Sequence, residues 1–351
     1  MVNGEWTPAH RAEDLSRFPF SLSPSFWESV ILHPSAFILC CALAGAAGAQ
    51  PVRYPAKPVR VIVPFAPGSP IEVPARAVGQ KLGEAMGQAF VIDNRAGASG
   101  FIGTELVAKA PKDGYTMLAM NCAHAANPSL FKKLPYDSLA DFTPVIQINS
   151  TWGNILLVHP TVPAKSVKQF IALAKSQPGK LHYASGGVGS PPHVTAALFA
   201  AEAGIKLTHV AYKGTATAFP DVLSGYVEAM FASPTFSQPY IQSGRVRALG
   251  MAGPKRMPLL PDVPTFHEAG LPGFELTCYH GLWFPAGVPA EIVRRVHAEA
   301  AKAIATPEVR NELEKQALIP VGSSPEEFSA FLQKDVIRYG VIAKKIGFQP
   351  Q

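Results

Sequence analysis

The feature that most constrains the fold is a repeated series of three segments: an apolar run, a turn of small residues and a helix-like run. "PVRVIVPF" at 58–65 precedes "APGSP" and a helical run that ends at Gly87. "FVIDNR" at 90–95 precedes "AGASG" and "FIGTELVAKA". Strands that alternate with helices indicate a parallel sheet with helices on both faces. The sequence therefore predicts an α/β fold.

The same series continues, with "YTMLAMN" as a strand, "CAHAANP" as its turn and a second unit that begins after "FTPVIQINSTWGNILLVHP". Two long extended stretches, at 142–158 and 274–285, predict two β-strand crossovers between two lobes. Such a clamp would bring the turns of both lobes to one cleft, because ligands of α/β sheets bind outside the carboxyl ends of the strands.

A glycine-rich loop, "SGGVGS", stands out in the second unit, between a strand that ends near Ala184 and a predicted helix from His193 to Ala203. Gly204 ends that helix. Unpaired N–H groups at the start of a helix form an anion site. We predict that the N–H groups of Gly187 to Ser190 and the Ser190 hydroxyl hold a ligand carboxylate. The alternative is that the loop is an ordinary turn.

The N-terminus resembles an export signal. Residues 36–43 are apolar, and "AGA" at 47–49 fits the small-x-small rule for cleavage before Gln50. The nearest firm positive charge upstream is Arg17, which is unusual for such a signal. We predict a periplasmic protein cleaved after Ala49.

Composition excludes several classes of protein. The chain of 351 residues is 48% hydrophobic and 16% charged, which excludes disorder. Its net charge of +6 comes from scattered basic residues, so we expect no nucleic-acid partner. No Cys/His grouping has the spacing of metal ligands, and nucleotide-binding patterns are missing, so we expect no metal and no cofactor. Cys122 and Cys278 are the two cysteines after the signal, and their spacing leaves their pairing open.

Catalysis has little support in the sequence. Ser190 lies close to His193, so a secreted hydrolase that uses this pair is the alternative function. However, "GGVGS" is not the G-x-S-x-G elbow, and a histidine in the first turn of a helix is expected to support the loop. A ligand-sensing regulator is a third class, but it would need a DNA-binding unit. We predict no enzymatic activity.

Several motifs together identify a family resemblance that covers residues 53–348. They include "YPAKPVRVIVPFAPGS", "VIDNRAGASGFIGTELVAKAPKDGYTML", "NPSLFKKLPYDSLADFTPV" and "HVAYKGTATAFPDVLSGYVEAMF". The chain resembles the periplasmic solute-binding receptors of tripartite tricarboxylate transporters, often called the Bug family. The resemblance implies a two-lobed flytrap fold with two β-strand hinge crossovers. It also implies a monomer that delivers a small organic acid to membrane permease subunits or to a sensor.

The resemblance also implies a division of the chain and a binding site. One lobe would comprise residues 53–153 and 277–351, the other 154–276, and 1–49 would be the N-terminal extension with the signal. Carried over from relatives, the ligand-binding residues are Ala66, Pro67, Gly68, Ser69, Pro70, Ser185, Gly186, Gly187, Val188, Gly189, Ser190, His193, Tyr212, Lys213, Gly214, Thr215, Ala216, Ala232 and Ser233.

The chain departs from the family pattern in this predicted site. Ile71 and Glu72 replace a common Thr-Asp pair, and Pro74 predicts that the first helix starts near Val73. Ala232 replaces an acidic residue, which argues against a ligand that carries an ammonium group.

Overall fold

The computed structural model describes residues 54–97, 100–348 and 350, which form two β-sheets flanked by helices. The predicted signal and its cleavage site lie outside the described residues, as does Ser99, a hydroxyl residue of the predicted turn after 90–95. The strands are β1 (Val59–Val63), β2 (Phe90–Asn94), β3 (Thr116–Asn121), β4 (Phe142–Thr151), β5 (Ile155–Val158), β6 (His182–Ser185), β7 (Thr208–Ala211), β8 (Ala229–Ala232), β9 (Arg247–Met251), β10 (Tyr279–Pro285) and β11 (Leu318–Pro320).

Ten helices cover these sheets in the described residues. They are α1 (Glu72–Met86), α2 (Phe101–Ala108), α3 (Ala123–Leu130), α4 (Val167–Ser176), α5 (Pro191–Ala203), α6 (Thr215–Leu223), α7 (Pro234–Gln242), α8 (Ala290–Ala305), α9 (Pro307–Lys315) and α10 (Pro325–Lys345).

Both sheets are mixed, and each forms one lobe with its helices. The first has the strand order β11-β4-β10-β3-β1-β2, with β1 parallel to β2 and β3. The second has the order β7-β6-β8-β5-β9, with β6 parallel to β7 and β8. The predicted α/β class and two-lobed architecture are therefore confirmed. The predicted parallel pairing holds for β1 to β3 and for β6 to β8, whereas the strands of the extended stretches pair antiparallel to their neighbours.

One predicted turn and one predicted helix start need correction. The "CAHAANP" segment is not a turn but most of α3, in which Pro128 is tolerated because the helix is buried and packs against α10. Helix α5 begins at Pro191 rather than His193, because proline in the first turn sacrifices no intrahelical hydrogen bond. Helix α1 begins at Glu72, close to the predicted start near Val73, and accepts Pro74 as its third residue for the same reason.

Two crossover segments join the sheets, and they are hydrogen bonded to each other. Residues 152–154 lead from β4 to β5, and residues 252–278 lead from β9 back to β10. The Ala252 N–H donates to the Asn154 carbonyl at 2.9 Å. At the end of β4, the Thr151 N–H donates to the Cys278 carbonyl at 2.8 Å, and the Cys278 N–H donates to Thr151 Oγ1 at 2.9 Å. The two crossovers therefore form a single connected hinge between the lobes.

A disulfide fastens this hinge to the first sheet. Cys122 follows β3 at the start of α3, and it is bonded to Cys278 in the second crossover, with a Cα–Cα distance of 5.2 Å. The sequence left this pairing open, because 156 residues separate the two cysteines. The bond ties the crossover to the carboxyl end of β3.

We expect loss of this bond to lower stability. A Cys122→Ala/Cys278→Ala double variant should lose about 2–4 kcal/mol of unfolding free energy, because the disulfide closes a long loop in the unfolded chain. Urea unfolding with and without reductant measures this. Reductant should destabilise the wild type and leave the double variant unchanged; equal stability of the oxidised and reduced wild type would contradict the expectation.

Candidate functional site

The candidate site lies at the carboxyl ends of the parallel strands of both sheets. In the second lobe, β6, β7 and β8 run parallel, and each is followed at the same edge by a predicted site segment. In the first lobe, β1, β2 and β3 present an equivalent edge. The two lobes approach each other at Gly189, where a Cβ atom would lie 3.4 Å from Leu130 Cδ1 and 3.5 Å from Phe131 Cζ.

The glycine-rich loop after β6 satisfies most of its own backbone groups. The Gly187 N–H donates to Ser185 Oγ at 3.1 Å, and the Gly189 N–H donates to His193 Nδ1 at 3.2 Å. The Ser190 N–H and hydroxyl both donate to the Gly187 carbonyl, at 3.2 and 2.7 Å. Gly187 and Gly189 need to be glycines, because their φ angles are +119° and +77°.

The prediction for this loop is therefore corrected in detail. Three of the four predicted N–H donors, and the Ser190 hydroxyl, are engaged within the loop. In the described part of the chain, the N–H groups of Val188 and His193 have no acceptor. The His193 N–H belongs to the first turn of α5, where Pro191 and Pro192 supply no donors. These two N–H groups are the free donors at this end of the helix.

His193 supports the loop through its side chain, as expected for a histidine in the first helical turn. His193 is 8% exposed, and its ring stacks on His209, with ring centroids 4.3 Å apart. His209 Nε2 lies 2.6 Å from Ser185 Oγ. Burial lowers the pKa of His193 to about 4, and the charge of a protonated His209 adds to that lowering. From the sequence, His209 is expected to be a structural histidine rather than a base, and spacing alone does not pair it with Ser185 on the neighbouring strand.

The structure does not form the dyad of the alternative hydrolase. The Ser190 hydroxyl donates to the Gly187 carbonyl, and His193 Nδ1 accepts the Gly189 N–H. Among the described residues, no hydrogen bond joins the Ser190 and His193 side chains. A serine nucleophile requires a base within hydrogen-bond reach, so this geometry does not activate Ser190 through His193.

In the first lobe, the protein's own carboxylate holds the loop after β1. Glu72 Oε2 accepts the Gly68 N–H at 2.8 Å, and Oε1 accepts the Arg76 Nε–H at 2.8 Å. Burial alone would raise the pKa of Glu72, but the hydrogen bonds from Arg76 and Gly68 outweigh it and lower the pKa. Glu72, which stands where the resemblance led us to expect an aspartate, is therefore a charged residue that holds this loop in place.

Two predicted hydroxyls remain without partners. Ser69 Oγ and Ser233 Oγ are buried and have no hydrogen-bond partner in the described parts of the chain. Ser69 lies in the loop before α1, and Ser233 follows β8 as the N-cap of α7. An unsatisfied buried hydroxyl costs about 1–3 kcal/mol, so each of these groups calls for a polar partner.

The segment after β7 is also close to the glycine-rich loop. A Cβ on Gly186 would lie 3.1 Å from the Thr215 backbone nitrogen. The Tyr212 hydroxyl donates to the Asp221 carboxylate, so it is bonded to a side chain of α6. Lys213 is exposed, and no carboxylate of the described residues forms an ion pair with it. The remaining predicted residues of these loops are Ala66, Pro67, Pro70, Gly214, Ala216 and Ala232, of which Ala232 is fully buried at the end of β8.

Aromatic side chains line the first-lobe side. Phe101, at the start of α2, packs edge to face against Phe131, with ring centroids 4.6 Å apart. Both rings are half-buried, and Phe65 lies beside Gly100 at the same sheet edge. Sequence reasoning did not select these rings, because they follow the strand ends at irregular distances.

In the ranges the structure covers, no group of three or more His, Cys, Asp or Glu residues could hold a metal ion. No helix there is both long enough and apolar enough to cross a bilayer.

Comparison with known proteins gives a consistent result. Residues 74–348 match the family model of the tripartite tricarboxylate transporter family receptor. A protein of Pseudomonas sp. strain P51, described as a UPF0065 protein in the tcbD-tcbE intergenic region, is 39% identical over 287 residues, which are 82% of this chain and 85% of that protein.

Two solved structures are also similar. Rpa4515 of R. palustris, solved with adipate, is 33% identical with a TM-score of 0.79, covering 85% of this chain and all of that one. The periplasmic binding protein BugD is 31% identical with a TM-score of 0.78, again covering 85% and 100%.

The buried neutral His193 should make stability depend on pH. Its pKa is about 4 in the folded protein, whereas the ordinary pKa of a histidine is 6.5. The folded state therefore binds fewer protons between these values, and stability present above pH 6.5 is lost as pH falls toward 4. From pH 7 to pH 5, the wild type should lose about 1–2 kcal/mol more unfolding free energy than His193→Gln.

Urea unfolding at the two pH values measures this difference. The control is His267→Gln, since His267 is exposed but its Nδ1 likewise accepts a glycine N–H, from Gly273 at 3.0 Å. The control should follow the wild type. An equal loss in the wild type and His193→Gln would show that His193 is not held neutral.

Proposed function

The chain belongs to the tripartite tricarboxylate transporter receptor family, and on that premise we propose that it captures a small organic carboxylate in its cleft. The family is one of periplasmic solute-binding proteins of the Bug type. The bound acid would pass to the membrane permease subunits of such a transporter, or to a sensor. The protein would act as a monomer and without catalysis.

One observation supports the proposal most: several hydrogen-bond donors without partners follow the carboxyl ends of β1, β6 and β8. They are the N–H groups of Val188 and His193 and the hydroxyls of Ser69 and Ser233. A carboxylate has about four acceptor positions and donates nothing, so it matches this set. The start of α5 and the exposed Lys213 both favour negative charge there.

The rest of the cleft suggests how the ligand's carbon skeleton would be held. Phe101 and Phe131 would contact apolar atoms of the ligand, and Glu72 would keep the first-lobe loop in place. The adipate named for Rpa4515 is such a molecule, with carboxylates on an apolar chain. The other loop residues named from the sequence would complete the walls of the cleft.

The first test is binding of a carboxylate panel of adipate, malate and benzoate, measured by calorimetry. We expect at least one micromolar ligand, and we expect Ser69→Ala and Ser233→Ala each to weaken it by about tenfold, the value of a hydrogen bond to a charged group. Ser224→Ala is the control, because Ser224 is exposed and donates to the Asp221 carbonyl.

A second variant tests the glycine-rich loop. Gly189→Val should weaken binding by at least about tenfold, because φ is +77° and the new side chain would meet Leu130 and Phe131. Gly204→Val is the matched control, with φ +60° and no atom within 4 Å of the added Cβ. Unchanged affinity in Gly189→Val and in both serine variants would refute the proposed site.

Export is tested separately. We propose that the chain is cleaved between Ala49 and Gln50, as its small-x-small motif predicts. Intact mass of protein from a periplasmic extract should correspond to residues 50–351. A product that retains Cys40, or that stays in the cytoplasm, would refute this cleavage.

A further inference from the structure

Two stacked imidazoles lie behind the glycine-rich loop. The His193 and His209 rings are 4.3 Å apart between centroids and inclined by 28°. His209 also stacks on Tyr183, at 4.8 Å and 18°. His193 lies in the first turn of α5 and His209 in β7, so the stack joins the helix to the strand beside β6.

The hydrogen bonds of His193 fix where its proton lies. Its Nδ1 is the acceptor of the Gly189 N–H, so this nitrogen carries a lone pair. A protonated imidazole has donors on both nitrogens and would leave the Gly189 N–H facing another donor. His193 is therefore neutral, with its proton on Nε2.

A count of lone pairs fixes the proton of His209 in the same way. The Gly187 carbonyl already accepts both the N–H and the hydroxyl of Ser190, which uses its two lone pairs. The Ser185 hydroxyl, which is fully buried, therefore donates to its nearer neighbour, His209 Nε2, at 2.6 Å rather than to this carbonyl at 3.1 Å. His209 is neutral as well, with its proton on Nδ1.

The surroundings of the pair keep both rings neutral. Tyr183 faces His209 from β6, and Phe348 faces His193 from the C-terminal segment, with ring centroids 5.9 Å apart in the second pair. Leu130 lies across the cleft against Gly189. No carboxylate in the described ranges forms a hydrogen bond or ion pair with either imidazole. Burial lowers the pKa of both histidines.

We propose that His193 and His209 are positioning residues, a pair of neutral acceptors that sets the direction of the loop's free N–H groups. His193 draws the Gly189 N–H away from the cleft, and His209 holds Ser185, which in turn receives the Gly187 N–H. The Val188 and His193 N–H groups are then left to bind the ligand. The inference rests on the proposed carboxylate site, but it assigns the His193 side chain to support of the loop rather than to the ligand.

Two substitutions at His193 separate positioning from simple packing. His193→Gln keeps an acceptor at the third helical position, which can reach back to the residues before the helix as in a capping box. His193→Leu keeps apolar volume and removes the acceptor. The control is His267→Leu, which deletes the equivalent bond to Gly273 at an exposed position.

The readouts are adipate and benzoate affinity, exchange of the Gly189 amide and ¹⁵N spectra of the histidine rings in the full-length mature protein. We expect His193→Gln to keep affinity within about threefold, and His193→Leu to lose about tenfold in affinity and in Gly189 protection. The wild-type spectra at pH 7 should show His193 protonated on Nε2 and His209 on Nδ1. The His267→Leu control should bind like the wild type.

Each outcome bears on one of the two proposals. A folded His193→Leu with wild-type affinity and Gly189 protection overturns the positioning role, as does a charged ring in the wild-type spectra. Equal weakness of His193→Gln and His193→Leu also overturns it. If the wild type binds no carboxylate, the proposed function fails, while the spectra and the Gly189 exchange still decide whether the pair holds the loop.

Discussion

The hydrogen-bonded pair of crossovers is the constraint on which the rest of the structure depends. Thr151 and Cys278 exchange two hydrogen bonds where the chain leaves the first sheet and where it returns. The disulfide from Cys278 to Cys122 attaches this hinge to the end of β3, which is also an edge of the cleft. The geometry of the site is therefore tied directly to the junction between the lobes.

In both lobes, a side chain of the protein itself holds the backbone of the loop that borders the cleft. Glu72 holds the loop of the first lobe, and His193 holds the loop of the second. Internal bonds of this kind reduce the number of donors available to a ligand, but they fix the direction of those that remain. A preorganised site loses less conformational entropy on binding, which favours affinity for a small ligand.

The two-lobed α/β fold could be predicted from the sequence, because strand runs, small-residue turns and capping glycines such as Gly87 and Gly204 are local signals. The antiparallel pairing of β10 and the helical state of "CAHAANP" could not, because both depend on tertiary packing. The loops of the site were predictable as segments. The free N–H groups could not be predicted, because they depend on the side-chain contacts of His193 and Glu72. Residue spacing in the sequence does not reveal these contacts.

The central claim is that a ligand carboxylate binds to the free N–H groups at the start of α5. A titration of ¹⁵N-labelled protein with the tightest carboxylate of the adipate, malate and benzoate series tests this most directly. The claim predicts downfield amide proton shifts at Val188 and His193, with the Gly189 amide, which is already bonded to His193 Nδ1, nearly unchanged. Binding that leaves Val188 and His193 unshifted would contradict it.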